Sequence, residues 1–182
     1  MLKWFKTEFF KWTDKPDCDK CGNSNKDKIN SIGRKPPTEE EKNEGHAGVT
    51  EVFQCLVCNH EPRFPRYNKL TKLLETRNGR CGEWANCYTG IVRSLGHDTR
   101  LVHDLTDHVW TEVYLRQEDR WVHMDPCENA YDTPKLYEKG WGKKLTYCFG
   151  VSKKEIVDVT KRYILSKDKN KIRRKLVPEQ WL

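Results

Sequence analysis

The residue types able to do chemistry fall into two groups. The first is a thiol, an imidazole and a carboxylate in chain order: Cys81, His108 and Asp125. Cys81 follows Gly79-Arg80 at the predicted start of a helix, where unpaired N–H groups and positive partial charge collect. Both favour a thiolate, and beside an imidazolium a cysteine pKa can fall from about 8.5 to roughly 3–4. The same N–H groups can bind the oxyanion that forms when a carbonyl is attacked, one such donor being worth about 2.7–4 kcal/mol. His108 opens one predicted strand and Asp125 closes the next. By strand alternation His108 shares a face with Trp110, while Trp121 and His123 share one with Asp125. A helix-borne thiol, a strand-borne imidazole and a carboxylate to orient it are nucleophile, base and orienter. Each residue also has a plain structural reading. A cysteine at a helix start can be a small buried group, a strand histidine a satisfied polar residue, and an aspartate before Pro126 a turn former. Spacing alone does not separate His108 from His97, His103 and His123.

The second group is two C-x-x-C pairs, Cys18 with Cys21 and Cys55 with Cys58. Such a pair lets two thiolates grip one ion from a tight turn. Two pairs complete a tetrahedral four-sulfur shell, which zinc favours and which leaves no open position for catalysis. The long separation between the pairs is tolerable, because loop-closure cost grows slowly with length. The expectation is one structural zinc. The alternatives are four buried or redox cysteines, or a nucleic-acid-binding zinc ribbon, but nothing nearby interleaves basic and aromatic residues as that would need.

These residues must be positioned by a mixed α+β fold. Leu2, Phe5, Phe9 and Trp12 recur at helical spacing, predicting a helix over 2–13 that Pro16 ends. The polar stretch 23–48 reads as a loop, and 49–54 as a strand delivering the second cysteine pair. Leu70, Leu73 and Leu74 mark a short helix, with Asn78-Gly79 as a turn. Trp84, Cys87, Tyr88, Ile91 and Leu95 fall on one helical face of 81–95, with Gly96 as its stop. The period then changes to alternation, giving strands over 100–105, 108–115 and 121–125, and another around 156–163. Helices followed by a run of antiparallel strands suggest α+β.

Composition narrows the class. A chain of 182 residues suits one domain, with room for a small lobe, and can bury a core without disulfides. Much of the +7 net charge sits between Lys161 and Lys175, which reads as a solvated basic tail. Charged residues interrupt the aromatics of 1–12, so no signal peptide is expected there. No stretch approaches the roughly 20 apolar residues of a membrane span. The paired cysteines point to a reducing compartment, cytoplasm or nucleus. Neither a nucleic-acid partner nor membrane insertion is expected.

Three segments then resemble one family. Arg80-Cys81-Gly82-Glu83-Trp84-Ala85-Asn86, Thr106 to Tyr114 and Trp121-Val122-His123-Met124-Asp125 are similar to the cytoplasmic peptide:N-glycanases of the transglutaminase-like superfamily. So are Phe64 to Asn68, Leu73 to Arg77 and Gly140-Trp141-Gly142-Lys143-Lys144-Leu145. The resemblance covers about Trp4 to Tyr163, cysteine pairs included. It implies a transglutaminase-like, papain-type cysteine amidase core with a small four-cysteine zinc-binding lobe. Cys81 would be the nucleophile, His108 the acid/base and Asp125 the orienter, with Trp110, Trp121 and Glu128 lining a cleft for the chitobiose and its asparagine. The implied activity is hydrolysis of the amide between asparagine and N-acetylglucosamine in a misfolded or denatured N-glycoprotein or glycopeptide, within glycoprotein quality control. Some members bind proteasome-shuttle proteins through a helical surface, and that partner is carried as an expectation. Set against animal members, the chain is expected to lack their N-terminal adaptor and C-terminal carbohydrate-binding domains. The expected organisation is a helix and zinc-binding lobe over 1–65, the catalytic core over 66–165 and a basic C-terminal tail over 166–182. The competing readings are a transglutaminase or cysteine protease using the same triad, and a non-catalytic binding module of the same fold.

Overall fold

The computed structural model describes residues 1–181. The chain begins helically: α1, Leu2–Trp4, continues as a π-helical turn, Phe5–Phe9. The expected helix stops there, because the next residues find sheet partners. Strand β1, Lys11–Trp12, pairs in parallel with β5, Asn78–Gly79, and the Lys11 and Thr13 N–H groups donate to the Arg77 and Gly79 carbonyls. Residues 9–83 form one compact unit; residues 1–8 and the chain from Trp84 onward form the other.

In the first unit a three-stranded antiparallel sheet runs in the order β2 (Ile29–Lys35), β3 (Thr50–Cys55), β4 (Arg63–Pro65). Between β2 and β3 lies helix α2, Glu39–Gly45. Both β2 and α2 fall in the stretch expected to be loop. β2 is an edge strand on which only Ile29 is buried, with a register shift between Ser31 and Gly33, so it carries no apolar alternation. α2 hides no apolar stripe either. A capping box holds its start, Thr38 accepting from the Glu41 N–H while Glu41 accepts from the Thr38 N–H. The Glu41 carboxylate also takes a two-pronged bond from Arg63, both contacts at 2.8 Å, and one from the Thr50 hydroxyl at 2.7 Å. Arg63 holds its pKa down to about 2. Helix α3, Leu70–Thr76, ends on left-handed Arg77. Gly79 is required for close approach rather than for a turn: a Cβ there would lie 2.3 Å from the Glu83 Cβ.

Helix α4, Cys81–Ser94, buries Trp84, Ala85, Cys87, Tyr88 and Val92, with Phe5 edge-on to Trp84 and Tyr88. Leu95 lies past the helix and is exposed. A six-stranded antiparallel sheet follows from β6 (Thr99–Asp104), β7 (His108–Leu115), β8 (Arg120–Asp125), β9 (Ala130–Tyr131), β10 (Cys148–Val151) and β11 (Ile156–Asp158), in the order β11-β10-β6-β7-β8-β9. A π-helical turn, Leu136–Gly140, leads toward β10. β10 is short and carries Gly150, where a Cβ would lie 2.9 Å from Arg100, so side-chain alternation gives it little signal.

The expected strand over 156–163 is strand only to Asp158. There the Asp158 carboxylate accepts from the Thr160 N–H, and the chain turns into helix α5, Thr160–Tyr163. Helix α6, Lys167–Arg173, lies within the basic tail, which is pinned rather than simply solvated. The Arg174 guanidinium bonds Asp158 at 2.6 Å and covers the Tyr147 ring at 4.5 Å. Asn170 is buried and donates to the Leu145 and Thr146 carbonyls at 2.9 and 3.0 Å.

Truncating that amide would strip both carbonyls of this donor, which costs about 1–3 kcal/mol for a buried group. Asn170→Ala should therefore lower Tm by several degrees, read by calorimetry. An unchanged Tm would mean that the tail is not docked through Asn170.

Candidate active site

Continuing the register of Thr111 opposite Met124, Asp125 falls across from Trp110. His108 therefore sits two residues further along β7 on the same face, a diagonal neighbour within side-chain reach. The sheet brings the two together: the His108 Nε2–H donates to Asp125 Oδ2 at 2.7 Å. His108 is 6% exposed and Asp125 wholly buried.

A buried carboxylate must be satisfied on all sides, and Asp125 is. Its Oδ2 also accepts from the Tyr137 hydroxyl at 2.9 Å. Its Oδ1 accepts the N–H groups of Cys127 and Glu128 at 2.9 and 3.3 Å. Burial pushes the Asp125 carboxyl up, but the bonds from His108 and Tyr137 outweigh it and hold the pKa below the ordinary value. Behind Tyr137 stands His123. The Thr133 N–H donates to His123 Nδ1 at 3.3 Å, which leaves the ring proton on Nε2, 2.6 Å from the Tyr137 oxygen. Burial presses the His123 pKa down to about 4, so the ring is neutral. Of the four candidate histidines, His108 alone bonds a carboxylate on this face. His97 and His103 are exposed.

Aromatic rings fix the imidazole. Trp110, a residue expected to line the cleft, is instead completely buried. It stacks on Tyr137 at 4.3 Å and packs on Tyr163 at 4.6 Å, with the His108 ring 5.8 Å away. Trp121 lies four residues before Asp125, about 13 Å along the strand. The Arg100 guanidinium covers its ring at 4.1 Å. Arg100 in turn pairs with Glu112, which is fully buried and also accepts from Tyr163. Glu128 is exposed beside the site. The ring that is open to solvent near His108 is Trp141, 43% exposed and edge-on at 4.9 Å.

Tyr137 and Trp141 escaped the sequence reading because their segment has no strand or α-helical period. The only signal was the Gly140-Trp141-Gly142 motif. His123 did leave a trace, sharing by alternation the face of Asp125.

In the unit of residues 9–83, Cys81 opens the α4 sequence and is partly exposed. The start of the helix is held by ionic bonds. Glu83 accepts from the Arg80 N–H at 2.9 Å and from Arg66 at 2.6 and 2.8 Å. Arg66 and Arg80 both reach Glu51 of β3, at 3.1 Å and at 3.0 and 2.7 Å. Burial raises the Glu51 pKa, but the two guanidinium groups bring it below its ordinary value.

The sulfurs of Cys18, Cys21, Cys55 and Cys58 all lie within 4.8 Å of one another, with Cys18–Cys58 at 3.6 Å and Cys21–Cys55 at 3.7 Å. A tetrahedral ion with metal–sulfur bonds of about 2.3 Å needs edges of about 3.8 Å. The four thiols can therefore hold a metal ion.

Residues 29–126 match the family model described as the transglutaminase-like superfamily, and residues 102–182 that of the Rad4 transglutaminase-like domain. A Caenorhabditis elegans protein named peptide-N(4)-(N-acetyl-beta-glucosaminyl)asparagine amidase is 53% identical over 90% of this chain and 27% of its own length. Proteins of the same name are 44% identical in Yarrowia lipolytica, over 99% of this chain and 49% of theirs, and 45% identical in Saccharomyces cerevisiae, over 92% and 46%. The chain thus spans between about a quarter and a half of these relatives' length.

The neutral, buried His123 sets a pH dependence of stability. Its folded pKa, about 4, lies below the ordinary 6.5, so between these values only the unfolded chain binds the proton. Stability is full above about pH 6.5 and falls toward pH 4, by on the order of 3 kcal/mol. His123→Gln should flatten that acid limb in urea denaturation run across the range. An unaltered slope would show that His123 is not held neutral.

Proposed function

Because the chain belongs to the transglutaminase-like superfamily, we propose that it is a cysteine amidase releasing N-glycans from asparagine side chains. The observation that carries this is the His108–Asp125 pair, an imidazole on a fully bonded buried carboxylate, in a chain similar to amidases of that name. Cys81 is the nucleophile. As a thiolate its sulfur attacks the carbonyl carbon of the glycosylated side-chain amide, and N–H groups at the start of α4 stabilise the oxyanion. His108, carrying the thiol proton, gives it to the departing nitrogen; the C–N bond breaks and a glycosylamine leaves. Water then loses a proton to His108 and attacks the thioester. The carbon–sulfur bond breaks, an aspartate remains and the thiol is restored. Asp125 keeps the imidazole oriented throughout.

Trp141 supplies an open aromatic face beside His108, the kind of surface that suits the apolar side of a sugar. Trp121 and Glu128 belong to the same cleft in this reading, with Trp110 beneath it. The substrate is a denatured N-glycoprotein or glycopeptide, since a folded surface blocks access to the base of the glycan. The setting is the reducing cytoplasm, nucleus included, as part of glycoprotein quality control. Its support is the four thiols gathered at metal-binding distance, which an oxidising compartment would tend to pair. A proteasome-shuttle partner is supported by the resemblance alone. The match of residues 102–182 to the Rad4 domain is what favours a non-catalytic binding module.

Mass spectrometry of a denatured glycoprotein, with a native control, separates these readings. The expected products are Asp at the former glycosylation site, an unbroken backbone and a glycan with both core sugars. Cys81→Ala should yield none of them while keeping the far-UV spectrum and Tm of the parent. A sugar left on Asn, a cut backbone, or turnover by Cys81→Ala would refute the assignment.

The metal of the cysteine cluster is proposed to be zinc, in a structural role, with Cys18, Cys21, Cys55 and Cys58 as its ligands. Elemental analysis should find one zinc per chain. Because the site is closed by four sulfurs, strong chelators should act slowly, with loss of activity tracking unfolding of the lobe. Folded, active protein without metal would overturn this.

A further inference from the structure

We infer that Tyr137 and His123 are positioning residues, which extend the His108–Asp125 pair into one directional hydrogen-bond relay. The inference deepens the proposed amidase reading and rests on it for its kinetic arm.

The relay is read from donors and acceptors. The Thr133 N–H occupies His123 Nδ1, so His123 can only donate through Nε2, and Tyr137 lies 2.6 Å from it. The Tyr137 oxygen, accepting from His123, directs its own proton to Asp125 Oδ2 at 2.9 Å. Asp125 Oδ2 also receives the His108 proton at 2.7 Å. His123, Tyr137 and Asp125 have no exposure to solvent, and in such surroundings linked hydrogen bonds polarise one another. Every step has one direction, so the carboxylate can neither rotate nor accept its second Oδ2 bond from water. Burial and the nearby Asp125 charge both keep the phenol protonated, raising its pKa well above the ordinary value. The groups facing His123 are Asp125, Asp132, His108 and Arg162; burial of the ring outweighs the two carboxylates and disfavours a charge on it. Packing adds a second constraint: Tyr137 stacks on Trp110 and meets His108 edge-on at 5.2 Å. Tyr137 thus holds both members of the pair, one through its hydroxyl and the other through its ring.

Tyr137→Phe removes the hydroxyl and keeps the ring. Its kcat on a glycopeptide should fall about 10- to 100-fold, the worth of a hydrogen bond to a charged group, with KM unchanged. Without the phenol sharing the carboxylate charge, more of it bears on His108, so the His108 titration followed by NMR should move to higher pH. Because His123 acts through Tyr137, adding His123→Leu to Tyr137→Phe should cost no further turnover. Wild-type kcat in Tyr137→Phe, or a loss of kcat matched by a fall in Tm with the His108 titration unmoved, would overturn the relay. If the wild-type chain released no glycan, the amidase reading would fail by itself. The NMR titration would still decide the relay, an identical His108 curve in both proteins counting against it.

Discussion

A carboxylate with no access to water is the constraint around which the larger unit is arranged. Left unpaired, such a charge costs several kcal/mol, so the residues around Asp125 have little freedom. The chain must turn after β8 so that the Cys127 and Glu128 N–H groups point back at Oδ1. A hydroxyl must reach Oδ2 from a separate segment, which the π-helical turn of Leu136–Gly140 provides. His108 must approach from the neighbouring strand, two residues out of register. Each requirement met for stability also restricts the imidazole to one tautomer and one orientation. A nucleophile's base needs the same restriction.

The other unit solves a related problem with ion pairs. Strand β3 carries Glu51 and Cys55, four residues apart and so on one face. Between them Phe53 packs with Ile29 and Phe64 in the core that also holds Cys18 and Cys55. Arg66 and Arg80 rest on the Phe64 ring at 5.7 and 5.6 Å while bonding Glu51. One strand thus joins the cysteine cluster to the turn that presents Cys81. A metal holding the cluster would act on the position of that turn through packing and charge, without taking part in any bond change.

Chemistry with a local pattern was legible in the sequence. The C-x-x-C pairs announce four convergent thiols, and a close turn between β7 and β8 brings Asp125 to about the level of His108, while the register that puts both on one face comes only from the sheet pairing. What lacked a local pattern was lost. β2 and α2 are fastened by Glu41, Arg63 and Thr50 rather than by apolar stripes, so the stretch looks like loop. Even so, Thr38-x-x-Glu41 carried a capping box in plain view. β10 and Tyr137 depend on partners far along the chain. The helix over 2–13 was overextended because periodicity cannot register the competing bonds that Lys11 and Thr13 make with the chain around Asn78.

The aromatic residues show why a motif names a neighbourhood but not a role. Trp110 is two residues from His108, and two residues along a strand means the same face. When that face is the core side of the sheet, the ring lies under the imidazole and not in front of it. Trp110 accordingly sits among Val102, Tyr137, Leu145 and Tyr163, without solvent contact. A ring offered to a substrate has to come from a segment that crosses the open side of the site. Trp141 is a partly exposed ring 4.9 Å from His108, followed by Gly142 in the left-handed region at φ +67. The buried rings Trp110 and Tyr137 restrict the His108 imidazole to one orientation, while Trp141 beside it keeps 43% of its surface open.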